Sequence, residues 1–455
     1  MDEKDQRICI VGAGPAGLSA AMYLEQKGYT NYTIYEQSGR VGGRAFSPVM
    51  KLPDGTQRTF EMGASRSFGP SPALRECEMF GGVGHEDGPV TSWRAVKENG
   101  TEPRQPLFAK RKNAAKINKL VQVVGAKYKG YNVTGHRGAA QGRYEGLAAP
   151  DGRLERVRGV NPNLKDLTLP FAEFLKRNDC EESGEFWRNL FTASGRGYFD
   201  EIPAAYVLKT LNAPAVQQYY AGGGVWTWKD GAQSIWENVN RRLQNPAHLN
   251  SEVVNIDRKD LNVFVTVNGR AEAFDKLIIC TPLHTFLGYG NPRPDEEALF
   301  SKILYKVCLT AAVRVSASRM PASSYVFSEH GAPETCGRLL ALERRWPDAP
   351  GQPLLARALC SRDNAPGVSL QQARDAMLRD IAACGCPVEG VESVQDQVCF
   401  AHISPADYAA GWYDEVEALQ GWDNTYYAGE IMACGSMEAV AAYSRELVER
   451  FFIST

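Results

Sequence analysis

The sequence lacks the features that define several protein classes. It has no large excess of one charge: 51 Lys and Arg against 53 Asp and Glu leave a net charge of -2. Nucleic-acid binding rests on many unbalanced cations, so no nucleic-acid partner is expected. No apolar run approaches the roughly 18 residues of a membrane span. The first residues, MDEKDQR, carry neither the basic region nor the apolar stretch of a signal peptide. Eleven cysteines in 455 residues are too sparse, and odd in number, for a disulfide scaffold. Free thiols and a cytoplasmic location are therefore expected. Histidines number six, and no HExxH, CxxC or Ser-His-Asp pattern occurs. Cys384-Gly385-Cys386 is spaced too tightly for a zinc knuckle or a CxxC redox pair, so no metal is expected, with His402 the one histidine to watch. There are no repeats and no low-complexity tract. What remains is a large chain of ordinary composition, 44% hydrophobic and 23% charged, about three typical domains long.

Residues 8–36 read as one unit. Ile8-Cys9-Ile10-Val11 suits a buried parallel strand. Gly12-Ala13-Gly14-Pro15-Ala16-Gly17 follows, then helical spacing through Gln26, then a second strand Tyr32-Thr33-Ile34-Tyr35 closed by Glu36. Gly12 permits a tight turn, Gly14 lets a pyrophosphate approach the backbone, and Gly17 lets helix and strand pack closely. The phosphates belong at the helix N-terminus, where unpaired amides and the dipole favour anions. Glu36 lies 19 positions past Gly17, where an acid accepts ribose hydroxyls. A bare GxGxxG is weak evidence, but in this strand–turn–helix–strand–acid context it is strong. A second glycine turn, Gly39-Arg40-Val41-Gly42-Gly43-Arg44, brings more amides and charge to the same anion.

These residues resemble the flavin-containing amine oxidase superfamily, whose R-x-G-G-R signature is matched by Arg40 to Arg44. Its F-x-x-G-A element is matched by Phe60-Glu61-Met62-Gly63-Ala64, its late strand ending in T-P by Leu277 to Pro282, and its Y-A-G-E plus helix by Tyr427-Ala428-Gly429-Glu430 with Met437 to Phe451. The resemblance implies an α/β fold: a Rossmann-type FAD-binding domain, a mixed-sheet substrate domain and a helical insertion. FAD is the expected cofactor, held by Gly12, Gly14, Pro15, Ala16, Gly17, Glu36, Gly39, Arg40, Gly42, Gly43, Arg44, Met62, Gly63, Ala64, Val254, Gly429, Glu430, Met437 and Val440. No second GxGxxG follows a strand, which disfavours a separate nicotinamide domain.

The expected organisation is an interrupted FAD-binding domain (1–75, 227–292 and 400–455), a helical insertion or cap (76–226) and a substrate-side domain (293–399). Residues 135–159, rich in Gly, Arg and Ala, read as a mobile loop. From Arg104 to Lys129 there are eight basic residues and no acid. A solvated helix face is the plainer reading; an anionic amphiphile or peripheral membrane contact is the other.

The segments Lys127 to Tyr131, Leu169 to Leu175, Gly197 to Lys209, Trp226 to Gly231, Asp407 to Tyr413 and Tyr427 to Met432 resemble the bacterial polyenoic fatty acid isomerases. That resemblance implies conversion of a free polyunsaturated fatty acid, linoleic-acid-like, to a conjugated isomer by hydride transfer to and from flavin N5. No protein group is then required as acid or base. It places an aromatic gate at Tyr219 and Tyr220, with an arginine for the carboxylate at Arg94, one position off register, and Arg196 as a second candidate. Phe191, Trp226 and Trp228 are expected at the substrate, among an aromatic set including Tyr198, Phe199 and Tyr206. The alternative is an amine oxidase or desaturase-type oxidase that produces hydrogen peroxide, for which Lys306 is the lysine near flavin N5.

Overall fold

Four short strands, rich in Ile, Val and Tyr, build the sheet that carries the site. In the computed structural model, which describes residues 3–68, 71–87, 93–96, 111–148, 154–210, 225–259, 261–316, 323–346, 349 and 351–453, they lie side by side and parallel. The order is Tyr32–Tyr35, Ile8–Val11, Lys276–Ile279, Thr425–Tyr427. Ile8 stands level with both Tyr32 and Lys276, and Leu277 with Thr425. Ile8, Cys9, Ile10, Leu277, Ile278 and Ile279 are fully buried. That fits a parallel sheet covered on both faces, which reads as continuous apolar runs. Helix Pro15–Gln26 lies against helix Met437–Phe451, and the Ser444 hydroxyl donates to the Ala16 carbonyl at 3.1 Å. The expected Val253-Val254 and Val263–Val267 strands belong to an antiparallel meander of Val253–Lys259, Asn262–Val267 and Arg270–Phe274.

A second, six-stranded sheet is mixed. Its order is Val388–His402, Leu304–Val315, Leu354–Leu359, Leu339–Arg344, Ser323–Phe327, Trp93–Val96. Trp93–Val96 runs parallel to Ser323–Phe327 and the other pairs are antiparallel. Helix Leu370–Ala383, capped by Ser369, covers one face around Met377 and Ile381. Where Leu304 pairs with His402 and Lys306 with Cys399, two residues oppose one. At this bulge Phe400 takes φ +53° and its ring turns toward Phe191, 5.4 Å away between centroids.

The insertion holds helices Phe171–Arg177, Gly184–Phe191 and Ala204–Thr210. One expectation needs correction here. Within 135–159, Arg143–Ala148 pairs with Glu155–Val160 as an antiparallel hairpin, and the Thr134 amide donates to the Leu147 carbonyl. The glycines serve turns: Gly138 and Gly142 have φ +79° and +73°, and a Cβ on either would meet backbone within 2.8 Å. The basic stretch partly lies outside the described residues. Within them, Lys116 and Lys127 face Glu182 and Asp166 at 3.3 and 3.5 Å.

Candidate active site

All four parallel strands end at one place. Gly12, Glu36, Cys280 to Pro282, and Ala428 with Gly429 follow their C-terminal ends and line a cavity of about 620 Å³. Ligands of open α/β sheets bind at this edge. The Gly12 amide donates to the Tyr35 carbonyl, and the Gly42 amide to the Ala13 carbonyl, so the two glycine turns are tied together. Gly14 and Gly43 then face each other across a slot: a Cβ on Gly43 would stand 3.2 Å from the Gly14 Cα. No side chain caps helix Pro15–Gln26 at Gly14, which leaves its first amides to an anion. Glu36 accepts from the Ala13 amide at 2.9 Å and from the Ser38 amide and hydroxyl. The slot, the uncapped helix and the acid at the strand end fit a dinucleotide, and the cavity is of the size that holds a whole ligand.

Thirteen of the expected cofactor residues line the cavity: Gly12, Gly14, Pro15, Ala16, Glu36, Gly43, Arg44, Gly63, Ala64, Gly429, Glu430, Met437 and Val440. The others support it from behind or stand apart. A Cβ on Gly17 would meet the Gly12 carbonyl oxygen at 2.0 Å, and one on Gly42 the Ala45 carbonyl at 2.9 Å. Gly39 lies against Asn250. Arg40 donates to the Gly43 carbonyl at 2.8 Å and covers the Phe46 ring, shaping the turn. Met62 is fully buried, and its carbonyl accepts from Gln397. Val254 is 52% exposed and does not line the cavity.

The substrate-side expectations fare differently. Phe191, Trp226 and Trp228 are buried but do not line the cavity. The Trp228 indole donates to Glu78 at 2.7 Å, Arg75 covers the Trp226 ring, and Phe191 packs against Phe199 and Phe400. Tyr198, Phe199 and Tyr206 are likewise core. These large rings fill the core behind the cavity rather than its wall. Arg94 stands level with Tyr325 on the edge strand, and Tyr219 and Tyr220 lie outside the described residues. Arg196 does line the cavity.

The wall is completed by residues that sequence reasoning did not select: Leu147, Leu190, Tyr305, Leu342, Leu355 and Phe400 among them. Its acids are all engaged. Arg44 pairs with Glu430 at 2.7 Å, Arg66 with Glu343 at 2.8 Å and Arg345 with Glu61 at 3.4 Å, while the Leu74 and Ala73 amides donate to Glu438. Three cavity cations, Arg196, Lys209 and Arg357, have no such partner among the described residues. Arg196 donates to the Gly435 carbonyl at 2.8 Å, and among the described residues neither Arg196 nor Lys209 joins an ion pair. Burial lowers both from their ordinary values, Lys209 to about 8.

Lys306 is not at the cavity. It is fully buried, 2.7 Å from both Glu201 and Asp363. The Asp363 carboxylate accepts from His402 at 2.9 Å, and the other ring nitrogen lies 2.7 Å from the Phe400 carbonyl. Burial pushes the Asp363 carboxyl up, and His402 and Lys306 more than offset that, leaving it below the ordinary carboxylate range. Among the described residues no group of His, Cys, Asp and Glu is arranged to hold a metal ion, and no helix is long and apolar enough to cross a membrane.

Comparison with known proteins agrees with this geometry. The family model described as flavin containing amine oxidoreductase matches residues 15–435. The crystal structure of a CLA-producing fatty acid isomerase from P. acnes is 35% identical, covers 99% of both chains and superposes with a TM-score of 0.88. A polyenoic fatty acid isomerase from Ptilota filicina is 58% identical over 43 residues, 10% of this chain and 9% of that one. Putrescine oxidase, bound to putrescine, shares the fold at 15% identity over 98% of each chain, with a TM-score of 0.69. The chain belongs to the flavin containing amine oxidoreductase family and is an FAD-dependent enzyme of its fatty acid isomerase group.

Proposed function

We propose that the enzyme converts a free polyunsaturated fatty acid, linoleic-acid-like, to a conjugated isomer. The observation that carries this reading is the charge pattern of the cavity. An aliphatic wall continues from the flavin slot, every acid on it is engaged, and Arg196 and Lys209 face it without a carboxylate of their own. Such a cavity suits an anion with a long apolar tail. A carboxylate brought to Lys209 offsets the burial that depresses it, and a guanidinium such as Arg196 can bind a carboxylate with two hydrogen bonds. An amine substrate would meet the same two cations as a like charge.

FAD, which the glycine turns at Gly14 and Gly43 and the Glu36 carboxylate would hold, would supply the redox chemistry of the double-bond shift. The chain's own residues would bind the tail and exclude water, with the apolar side chains of Leu147, Leu190, Leu342, Leu355 and Phe400 in the wall. The CLA-producing relative supports the same substrate class. The oxidase alternative loses its lysine, because Lys306 is held by Glu201 and Asp363 away from the cavity.

The test is incubation of the yellow protein with linoleic acid while conjugated-diene absorbance and hydrogen peroxide are followed together. Diene growth without matching peroxide is expected. Stoichiometric peroxide from an amine, with no diene from the acid, would overturn the proposal.

A further inference from the structure

The cavity wall also carries a pair of groups with no part in that reaction. Cys308 lies on strand Leu304–Val315 and Cys399 on the neighbouring antiparallel strand Val388–His402. Lys306 stands level with Cys399 and Cys308 with Gln397, so the two cysteines are diagonal neighbours. Both line the cavity, and their Sγ atoms are 2.7 Å apart. That is well inside the roughly 3.5–4.0 Å at which even unbonded carbon atoms sit. The Gly195 carbonyl lies 3.1 Å from the Cys308 Sγ and 3.8 Å from the Cys399 Sγ. Gly195 makes room for them: it has φ +79°, and a Cβ there would stand 2.5 Å from the Cys308 Sγ.

The surroundings separate their roles. The Cys308 S–H held against Cys399 keeps the Cys399 thiol below its ordinary value, against the effect of burial, and the Arg44 and Arg357 guanidinium groups act in the same direction. Cys308 is pushed the other way by its partner and by burial. Glu430 acts on Cys399 against the two guanidinium groups, and a thiol lowered in this way and reachable through a cavity ionises more readily to the nucleophilic form of cysteine.

We propose that Cys308 and Cys399 form a redox dithiol in the wall of the flavin cavity, with hydrogen peroxide as its oxidant. The Cys399 thiolate attacks one peroxide oxygen: an S–O bond forms, the O–O bond breaks, and the departing hydroxide takes a proton to become water. The Cys308 sulfur then attacks the Cys399 sulfur: an S–S bond forms, the S–O bond breaks, and a second water leaves with the Cys308 proton. Two thiols and one peroxide give one disulfide and two waters, with two electrons passing from sulfur to oxygen. The bridge joins two strands already paired, and a thiol reductant reverses it.

Peptide mapping of the holoenzyme tests this. The protein is treated with graded hydrogen peroxide, alkylated under denaturing conditions, digested and analysed by mass spectrometry. The expected result is a cross-linked peptide joining Cys308 and Cys399, two hydrogens lighter than the sum of its parts. It should form at least about tenfold faster than oxidation of the other nine cysteines and vanish with dithiothreitol. In Cys308→Ser the cross-link should be absent, and Cys399 should be trapped by dimedone as the sulfenic acid. Retained flavin absorbance reports that the variant folds. The proposal is overturned if both cysteines of the wild-type protein stay alkylatable while others oxidise, or if Cys399 oxidises no faster than Cys434, which also lines the cavity.

Discussion

The two sides of the cavity are built on different principles. On the nucleotide side, the lining comes from backbone and from residues close in sequence: Gly12, Gly14, Pro15, Ala16, Glu36, and Gly43 with Arg44. On the opposite side, the lining comes from Leu147, Leu190, Tyr305, Leu342, Leu355 and Phe400, scattered over more than half the chain and mostly aliphatic. A phosphate demands open amides and a missing Cβ, which only glycine at fixed spacing provides. An alkyl chain demands only carbon surface, which many residues provide equally. The first side therefore tolerates few substitutions and the second tolerates many, except where charge is involved.

The largest expected effect is at the buried ion cluster behind the second side. Lys306→Met leaves Glu201 and Asp363 with one cation or histidine each, and removing one partner of a buried pair costs about 3–5 kcal/mol. Thermal unfolding should show that loss, while rapid-reaction flavin reduction per folded molecule stays near wild type. Stable protein with abolished reduction would return Lys306 to the chemistry. On the nucleotide side, Gly17→Ala puts a Cβ 2.0 Å from the Gly12 carbonyl oxygen. Helix and strand must separate, costing about 1–3 kcal/mol. The slot widens with them, so flavin content after purification should fall; full flavin occupancy would show that the turn moves without opening.

Legibility in the sequence follows the same division. The parallel strands and the glycine turns were readable because phosphate binding is local. The fifteen-residue strand Val388–His402 was not. Along it Val394 and Val398 are exposed while Gln395 and Gln397 are half-buried, so it shows neither the apolar run of a buried strand nor the apolar-in alternation of a half-buried one. The bulge at Phe400, which turns a ring toward the insertion, depends on a pairing register that no single segment specifies. Aromatic content misled in the opposite sense. Trp226, Trp228 and Phe191 stand out in the sequence, but all three are buried in the core, where the Trp228 indole donates to Glu78 and Phe191 packs on Phe199 and Phe400.

Charge on the substrate side gives the next smaller effect. A hydrogen bond to a charged group contributes about 1.5–3 kcal/mol. Lys209→Met should therefore raise KM for the free acid roughly 10- to 100-fold and leave the methyl ester unchanged. Equal effects on acid and ester would remove Lys209 from carboxylate binding. Trp228→Phe offers the contrast: loss of its bond to the Glu78 carboxylate should lower stability by about 1.5–3 kcal/mol and leave both KM values alone. A selective rise in KM would bring Trp228 back to the substrate.

The smallest effect lies where the two sides meet. Glu438, in the first turn of helix Met437–Phe451, lines the cavity and accepts from the Leu74 and Ala73 amides. Burial raises its carboxyl from 4.5 to about 7, the two amides and Arg445 pull it down, and Glu76 adds to the rise. Below the unfolded value both states hold the proton, and folding gains most from it. As pH climbs from 4.5 toward 7, the unfolded chain releases the proton first, so stability falls; above 7 both states are ionised and the loss is complete. One unit corresponds to about 1.36 kcal/mol, but cavity water reduces that to a total on the order of 1 kcal/mol. Glu438→Gln should flatten this part of the Tm–pH curve between pH 5 and about 8. An unchanged slope would assign the pH dependence to other groups and leave Glu438 as an ordinary ionised acceptor for the two amides.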